Sequence, residues 1–491
     1  MIFIFKAGSI FHSSVLRNPY LIRVILVLLK FRHFMKFCLW SLVFLQVLMM
    51  NLVTTIAQQN GLPTKIVIKN VRIIVGDGSV IESGSLQFED GLITRVSSDQ
   101  IEPADALVLD AEGKTIMPAL IDGHSHLGYQ GRKDWGAHNY GLTNLIDNLE
   151  QYAFYGFSAV FSAGSDSLAL MNNLESQRKS GEFIGPRVLF AAGMAPPNQG
   201  PNDQFLAHAL TVETKFGETI LYGLENPIQA REQVRIVSDK GFKFIKIWVD
   251  DRGGSQSKLS PELYTAVIDE ANKFGLKVFV HQQFASDMPP LLAGGAHGFL
   301  HGRIGSDLNE DIAAKIRTAG AFVVPNWGLG ELRQEAIGED DFLNQIYSED
   351  EMVGLVKNFS RRFLRYRNSP QVEAELTNSF MNMIKAGVDI VLGTDAGAVP
   401  NHPFGYTGHR ELEIYVRLGM SPMQALVAAT SNAAKHLGLD DLGLLRSGYS
   451  ADFLILDKNP LDEIRNTRTI NNVYLSGKAI DRAALQRRWS P

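Results

Sequence analysis

The stretch Thr115-Ile-Met-Pro-Ala-Leu-Ile-Asp-Gly-His-Ser-His126 joins an apolar run to two histidines that lie two residues apart. On an extended strand, residues i and i+2 share a face, so the imidazoles of His124 and His126 can reach one point. Two neutral imidazoles at a strand end form half of a site for a zinc-like ion. Coincidence is the alternative, because His-x-His alone is a weak pattern. Ligands elsewhere in the chain must decide between the two.

Length and composition are those of a globular enzyme. The chain has 491 residues, of which 45% are apolar and 20% charged, and we expect one large domain with a smaller companion. Residues 1–57 contain six basic residues and no acidic one, so the formal charge of −5 becomes −11 for residues 58–491. A body this acidic argues against nucleic acid as a partner.

Residues 1–57 carry the pattern of a secretory signal peptide. The apolar run 38–53 precedes Thr55-Ile-Ala57, which has small residues at the two positions that a signal peptidase reads. A retained anchor, which would be the one membrane contact, is the weaker alternative because the run is short and contains two amides. The pattern favours Met35 as the true start. We therefore expect an exported protein, either periplasmic or secreted.

Two regions of short strands flank a longer region in which strands and helices alternate. We expect residues 58–115 and 438–491 to form one small β-sandwich from both ends of the mature chain. The alternating β and α segments of residues 116–437 predict an α/β fold, a TIM-type (β/α)8 barrel with its site at the carboxyl ends of the strands. Residues 331–375 have a charged helical pattern and predict an insertion after the seventh strand.

Four further polar residues follow or interrupt apolar runs of the predicted barrel. They are candidates for strands four, five, six and eight, in the order Lys246, His281, His301 and Asp395. The separations from His126 onward are 120, 35, 20 and 94 residues. The first separation fits three barrel units, the second and third fit one unit each, and the fourth fits two units with the insertion. The combined pattern is far more specific than His-x-His alone.

With these residues the chain resembles the amidohydrolase superfamily, specifically secreted imidazolonepropionase-like and prolidase-like members with a two-metal centre. The resemblance extends from about residue 64 to about residue 480 and includes Gly393-Thr-Asp-Ala-Gly397 and Gly448-Tyr-Ser-Ala-Asp452. It implies two divalent ions, for which zinc is the expectation. It also implies the ligand set: one ion on His124, His126 and Asp395, the other on His281 and His301, and both bridged by carboxylated Lys246.

The chemistry of an amine explains how a lysine can bridge two cations. An ammonium is repelled by metal ions, but a neutral amine reacts with CO2 to give a carbamate with two anionic oxygens. Burial lowers the pKa of a lysine and so favours the neutral amine. The alternative is that Lys246 extends its amine to solvent or pairs with Asp250 or Asp251.

The resemblance implies a metal-dependent hydrolase that cleaves an amide or related C–N bond of a small molecule. A metal-bridging hydroxide would attack, and Asp395 would act as acid and base, although a helix cap is its simpler alternative. A dipeptide or an N-acyl amino acid is the favoured substrate. A cyclic-amide or lactone hydrolase and a catalytically inactive metal-retaining binding protein are the alternatives.

Three residues are weaker candidates for substrate contacts. Arg303 lies two residues beyond His301 and could grip a substrate carboxylate, although an ion pair with an aspartate explains it as well. His409 follows a Gly- and Pro-rich loop, and Tyr140 lies in the loop after the first barrel strand. His402 reads as a surface residue. A homo-oligomer is compatible with the sequence.

Overall fold

The structure is a computed structural model that describes residues 65–101, 105–303, 308–327, 340–353, 370–400 and 402–489. The predicted signal region and much of the predicted insertion 331–375 lie outside these ranges. Among the described helices, none is long and apolar enough to cross a membrane.

Within these ranges the chain forms strands β1 to β17 and α-helices α1 to α13, numbered along the chain. The strands are Ile66–Ile74, Val80–Glu89, Leu92–Ser97, Leu107–Asp110, Thr115–Pro118, Leu120–Ser125, Phe157–Ser162, Arg187–Ala195, Leu221–Gly223, Phe244–Val249, Lys277–Phe284, Gly298–Arg303, Phe322–Val324, Asp389–Ile390, Phe453–Leu456, Ile470–Leu475 and Lys478–Ala479. The helices are Leu142–Phe154, Leu168–Ser180, Asp203–Phe216, Pro227–Asp239, Pro261–Lys273, Met288–Ala293, Glu310–Ala319, Asp341–Asn344, Pro370–Ala386, Tyr406–Arg417, Pro422–Ala428, Ser431–Leu437 and Arg482–Trp489.

Eight parallel strands form the barrel predicted from the sequence. Their order is β6-β7-β8-β10-β11-β12-β13-β14, and the short β9 pairs with β8 outside this path. Backbone hydrogen bonds join the first strand to the segment after β14: His126 N donates to Ala396 O at 2.7 Å, and Thr394 N donates to His124 O at 3.0 Å. The barrel is therefore closed at the end where the metal ligands were predicted.

Aromatic rings fill the barrel below that end. Phe161, Phe244, Phe279 and Phe322 are buried, and the Phe279 ring centroid lies 5.0–5.5 Å from the other three. Because side chains alternate along a strand, Phe244 shares its face with Lys246, and Phe279 shares its face with His281. The ring layer thus forms the floor of the candidate site.

The second sheet is built from both ends of the described chain, as the sequence predicts. Its order is β17-β16-β15-β5-β1-β2-β3, with β4 also paired to β1, and the ends join where β5 pairs antiparallel with β15. The sheet curls, so that Phe88 of β2 lies 5.4 Å from Phe453 of β15 and 5.6 Å from Tyr474 of β16. The two facing layers are therefore parts of one hydrogen-bonded sheet.

Replacing the central ring of the floor tests how far the barrel depends on it. We expect Phe279→Ala to lower the free energy of unfolding by about 3–5 kcal/mol, because a fully buried ring leaves a cavity. Phe274→Ala is the matched control: this ring is 46% exposed, and the change should stay within about 0.5 kcal/mol. Denaturant unfolding measures the stability of both variants. Equal losses of unfolding free energy would contradict the assignment of Phe279 to the barrel floor.

Candidate metal centre

One cluster of metal-ligating atoms lies where the first and eighth barrel strands meet. His124 Nε2 and His126 Nε2 lie 3.3 Å and 3.2 Å from Asp395 Oδ1. The ligand atoms of these three residues all fall within 4.8 Å of one another, and all three residues are buried. This is the half-site that the sequence predicted, with Asp395 as its third member.

Asp122 clamps the two strand ends that carry this cluster. Its Oδ1 accepts hydrogen bonds from the backbone N–H groups of His124 and Thr394, both at 3.1 Å. Its Oδ2 accepts from Thr394 Oγ1 at 2.6 Å and from the Tyr152 hydroxyl at 2.7 Å. The carboxylate thereby fixes the backbone on both sides of the cluster.

His301 and His281 continue the pocket along the neighbouring strands. The His301 ring stacks on His124 at a centroid distance of 4.8 Å, and its Nε2 lies 3.8 Å from Asp395 Oδ2. The His281 ring lies edge-on to His301 at 4.5 Å. His301 and Asp395 both have left-handed backbone, with φ of 49° and 57°. Such backbone is costly for non-glycine residues and concentrates at functional sites.

Lys246 projects into the same pocket from the fourth strand. It is 1% exposed, and its Nζ makes no hydrogen bond to any described residue. The predicted alternative partners are engaged elsewhere, because Asp250 contacts His281 and Arg252 while Asp251 accepts from Gln283 Nε2 at 2.7 Å. Burial lowers the pKa of Lys246 to about 7, against the raising effect of Asp395. A substantial fraction of neutral amine is therefore present near neutral pH.

Electrostatics prepare the pocket for cations. Burial lowers the pKa of all four histidines, to about 4 for His281, so the rings are neutral at pH 7 and retain a lone pair. Burial alone would raise the pKa of Asp395, but attraction to the cationic forms that His124 and His301 adopt at low pH, and a hydrogen bond from His126, outweigh this and hold it well below its usual range. Neutral imidazoles, an ionised carboxylate and buried atoms of His124, Lys246 and Asp395 that make no hydrogen bond to a described residue form a donor set that fits divalent metal ions.

The outer ring nitrogens of two histidines are held by other groups. His126 Nδ1 lies 3.0 Å from Ser165 Oγ, so its Nε2 is the nitrogen that faces the cluster. His281 Nε2 lies 2.8 Å from Asp250 Oδ2 and 3.2 Å from Arg252 Nη1. Such partners commonly orient metal-ligating histidines.

The structure does not support two of the predicted substrate contacts. Both ring nitrogens of His409 are bonded inside the protein, Nδ1 to Thr467 Oγ1 at 3.0 Å and Nε2 to the Tyr155 carbonyl at 2.8 Å. Tyr140 is 1% exposed, and its hydroxyl accepts from Ser167 N at 2.9 Å. Tyr140 lies on a loop and His409 on the helix Tyr406–Arg417, and the sequence pattern did not reveal that both side chains turn into the protein. Arg303 ends strand β12, and its side chain lies outside the described part of the chain.

Three residues near the centre were missed or misread at the sequence level. His402 is buried rather than exposed, and its Nδ1 lies 3.2 Å from the Asp395 carbonyl oxygen. Phe205 places its ring 4.8 Å from His126. Arg252 holds Asp250 beside His281. The run Asp250-Asp-Arg252 directly after the fourth strand was the one available signal, because residues at strand ends face the mouth of a barrel.

Comparison with known proteins gives consistent results. A profile described as "Amidohydrolase family" matches residues 115–480. The chain is 25% identical over 442 residues to an ochratoxinase from Aspergillus niger, which covers 83% of this chain and 84% of that protein. It is 28% identical over 421 residues to an imidazolonepropionase from Geobacillus thermodenitrificans, which covers 79% and 87%.

A solved structure agrees with these matches. A putative prolidase from Bifidobacterium longum superposes with a TM-score of 0.64 at 25% identity, over 87% of this chain and 98% of that chain. The similarity thus extends over both the barrel and the second sheet.

The burial of His409 predicts a structural effect on substitution. We expect His409→Ala to lower the free energy of unfolding by about 1–3 kcal/mol, because the Tyr155 carbonyl loses its donor inside the protein. The metal content per folded chain should not change. His138→Ala is the control, since this ring is 61% exposed and should contribute within about 0.5 kcal/mol. Atomic emission measures the metal content. A loss of metal in His409→Ala would contradict the structural role and would support the predicted role of His409 in the site.

Proposed function

Since the chain belongs to the amidohydrolase family, an enzyme family whose named relatives act on C–N bonds, we propose that it hydrolyses the amide bond of a dipeptide or an N-acyl amino acid at a two-metal centre. One observation carries the two-metal part of this proposal. A fully buried lysine, with a pKa near 7 and no hydrogen bond to a described residue, lies among four neutral histidines and a carboxylate.

A buried Lys246 amine with no hydrogen bond to a described residue needs a chemical reason. Its neutral Nζ can attack the carbon of CO2 and lose a proton, which yields a carbamate with two anionic oxygens. This group would satisfy the buried nitrogen and bridge two cations as a carboxylate does. His124, His126 and Asp395 would hold one ion, and His281 and His301 the other.

The bound ions would supply an acidified water and a Lewis acid for the substrate carbonyl. Asp395, whose Oδ2 lies 3.8 Å from His301 Nε2, would take a proton from that water. Addition of water to the carbonyl carbon breaks the C–N bond when Asp395 returns this proton to the leaving nitrogen. His126 and its neighbour Phe205 would exclude bulk water from one side of the pocket.

The choice of substrate rests on the relatives. A prolidase-like structure at 25% identity favours a dipeptide, and the ochratoxinase shows that the same chain architecture serves another named hydrolase. The imidazolonepropionase at 28% identity favours the second candidate, a cyclic amide. We further propose that the ions are zinc and that the protein is exported, as its N-terminal pattern indicates.

Removing the bridging amine should separate a two-metal enzyme from a one-metal enzyme. We expect Lys246→Ala to reduce bound zinc from nearly two ions per chain to at most one, and to reduce turnover by at least about 100-fold, because the bridging ligand is lost. Lys243→Ala is the matched control, since Lys243 precedes the same strand and is exposed. Atomic emission and a hydrolysis assay measure both variants. Two ions and full turnover in Lys246→Ala would refute the bridging role.

A substrate panel tests the class of bond. The zinc-loaded protein should hydrolyse dipeptides or N-acyl amino acids and release a free amine, which ninhydrin or fluorescamine detects. Turnover confined to cyclic amides or lactones would favour the second candidate. Two bound ions with no turnover across the panel would instead favour a metal-retaining binding protein.

A further inference from the structure

We propose that Asp250 is a positioning residue that holds His281 in the tautomer with its proton on Nε2, so that the lone pair on Nδ1 would be available to the second metal ion. This inference rests on the proposed two-metal function. It assigns to Asp250 and Arg252 a task that neither the ligand set nor the acid–base chemistry covers.

The contact between Asp250 and His281 is short and shielded from water. Asp250 Oδ2 lies 2.8 Å from His281 Nε2, and both side chains are 7% exposed. Asp250 Oδ1 accepts from the backbone N–H of Arg252 at 2.8 Å. The carboxylate is thus fixed at one oxygen and aimed at the imidazole with the other.

The side chain of Arg252 also contacts the oxygen that faces His281. Its Nη1 lies 3.3 Å from Asp250 Oδ2, while its Nε and Nη2 donate to the Gly200 carbonyl at 3.2 Å and 2.6 Å. Its backbone is left-handed, with φ of 56°. The loops after the third and fourth strands are therefore tied together around Asp250, and the fifth strand supplies His281.

Arg252 also offers a competing donor to the same ring nitrogen, because its Nη1 lies 3.2 Å from His281 Nε2. Donation from Arg252 would place the imidazole proton on Nδ1 and leave neither nitrogen for a metal. Asp250 Oδ2 is nearer to His281 Nε2 than Arg252 Nη1 is, at 2.8 Å against 3.2 Å, and Arg252 Nη1 has Asp250 Oδ2 itself as an acceptor at 3.3 Å. The proton therefore belongs on Nε2, donated to Asp250.

The two halves of the centre consequently differ in how their histidines are supported. His126 has a hydroxyl partner, Ser165, at its outer nitrogen, whereas His281 has a carboxylate. A carboxylate partner makes imidazole a more basic ligand, and loss of such a partner typically weakens metal binding by roughly 10–100-fold. Asp250 should therefore control the affinity of the second ion and leave the first unaffected.

The test is a zinc titration of metal-free protein, with both dissociation constants measured by competition against a chromophoric chelator. We expect Asp250→Asn to weaken the second site by roughly 10–100-fold and to leave the first site within about threefold. Asp251→Asn removes the same charge one residue away, where the carboxylate serves Gln283 and Gly253, and should leave both sites unchanged. Ser165→Ala should weaken the first site instead.

Nitrogen-15 spectra of histidine-labelled, metal-free protein report the tautomer of each imidazole. A general loss of stability does not change this tautomer in the folded protein. One ring, identified by its absence from His281→Gln, should be protonated on Nε2 in the unsubstituted protein and should lose this preference in Asp250→Asn. Equal weakening of both sites, or equal effects of Asp250→Asn and Asp251→Asn, would overturn the proposal. If the unsubstituted protein binds a single ion, the two-metal function itself fails; if it binds two and Asp250→Asn binds both equally well, the positioning role alone fails.

Discussion

Desolvation of the Lys246 amine is the constraint around which the centre is organised. A buried ammonium without a counter-ion is strongly unfavourable, so the group must be paired, neutral or chemically altered. The two nearby carboxylates of the following loop serve other partners, and Asp395 belongs to the histidine cluster. The barrel therefore holds a buried amine with a lowered pKa in the same pocket as the His124, His126 and Asp395 cluster. The aromatic floor of the barrel contributes to the desolvation of this amine, because Phe244 and Phe279 exclude water from below.

Fold and site also depend on each other through the closure of the barrel. Asp122 lies between the apolar run and His124, and its four hydrogen bonds join the first strand to Thr394 and to Tyr152 on the first helix. The same clamp that closes the barrel positions Asp395. The positions of His124 and Asp395 are thus set by the hydrogen-bonded ends of the first and last barrel strands.

The sequence predicted the residues whose direction is set by the alternation of side chains along a strand. It did not predict the direction of side chains outside the strands. His124, His126, Lys246, His281, His301 and Asp395 follow from two-residue alternation and from the spacing of barrel units, and they line one pocket. Tyr140 and His402 lie on loops, whose paths no periodicity encodes, and His409 lies on the helix Tyr406–Arg417 with its ring turned into the protein; each was assigned to the wrong environment. The sequence showed Asp250 and Arg252 only as part of a charged run, without their contacts. The joining of both chain ends in one sheet was predictable because the same strand pattern recurs at both ends.

The pairing of β5 with β15 has a consequence for biosynthesis. Residues 115–118 must wait for residues 453–456 before this ladder can form, so the sheet cannot be completed until most of the chain has left the ribosome. The first barrel strand follows β5 directly and obtains its own closing partner from residues 392–396. Contacts this distant in sequence form late and slowly. A nascent chain that ends before residue 395 lacks the carboxylate of the His124, His126 and Asp395 cluster, however well its earlier strands have folded.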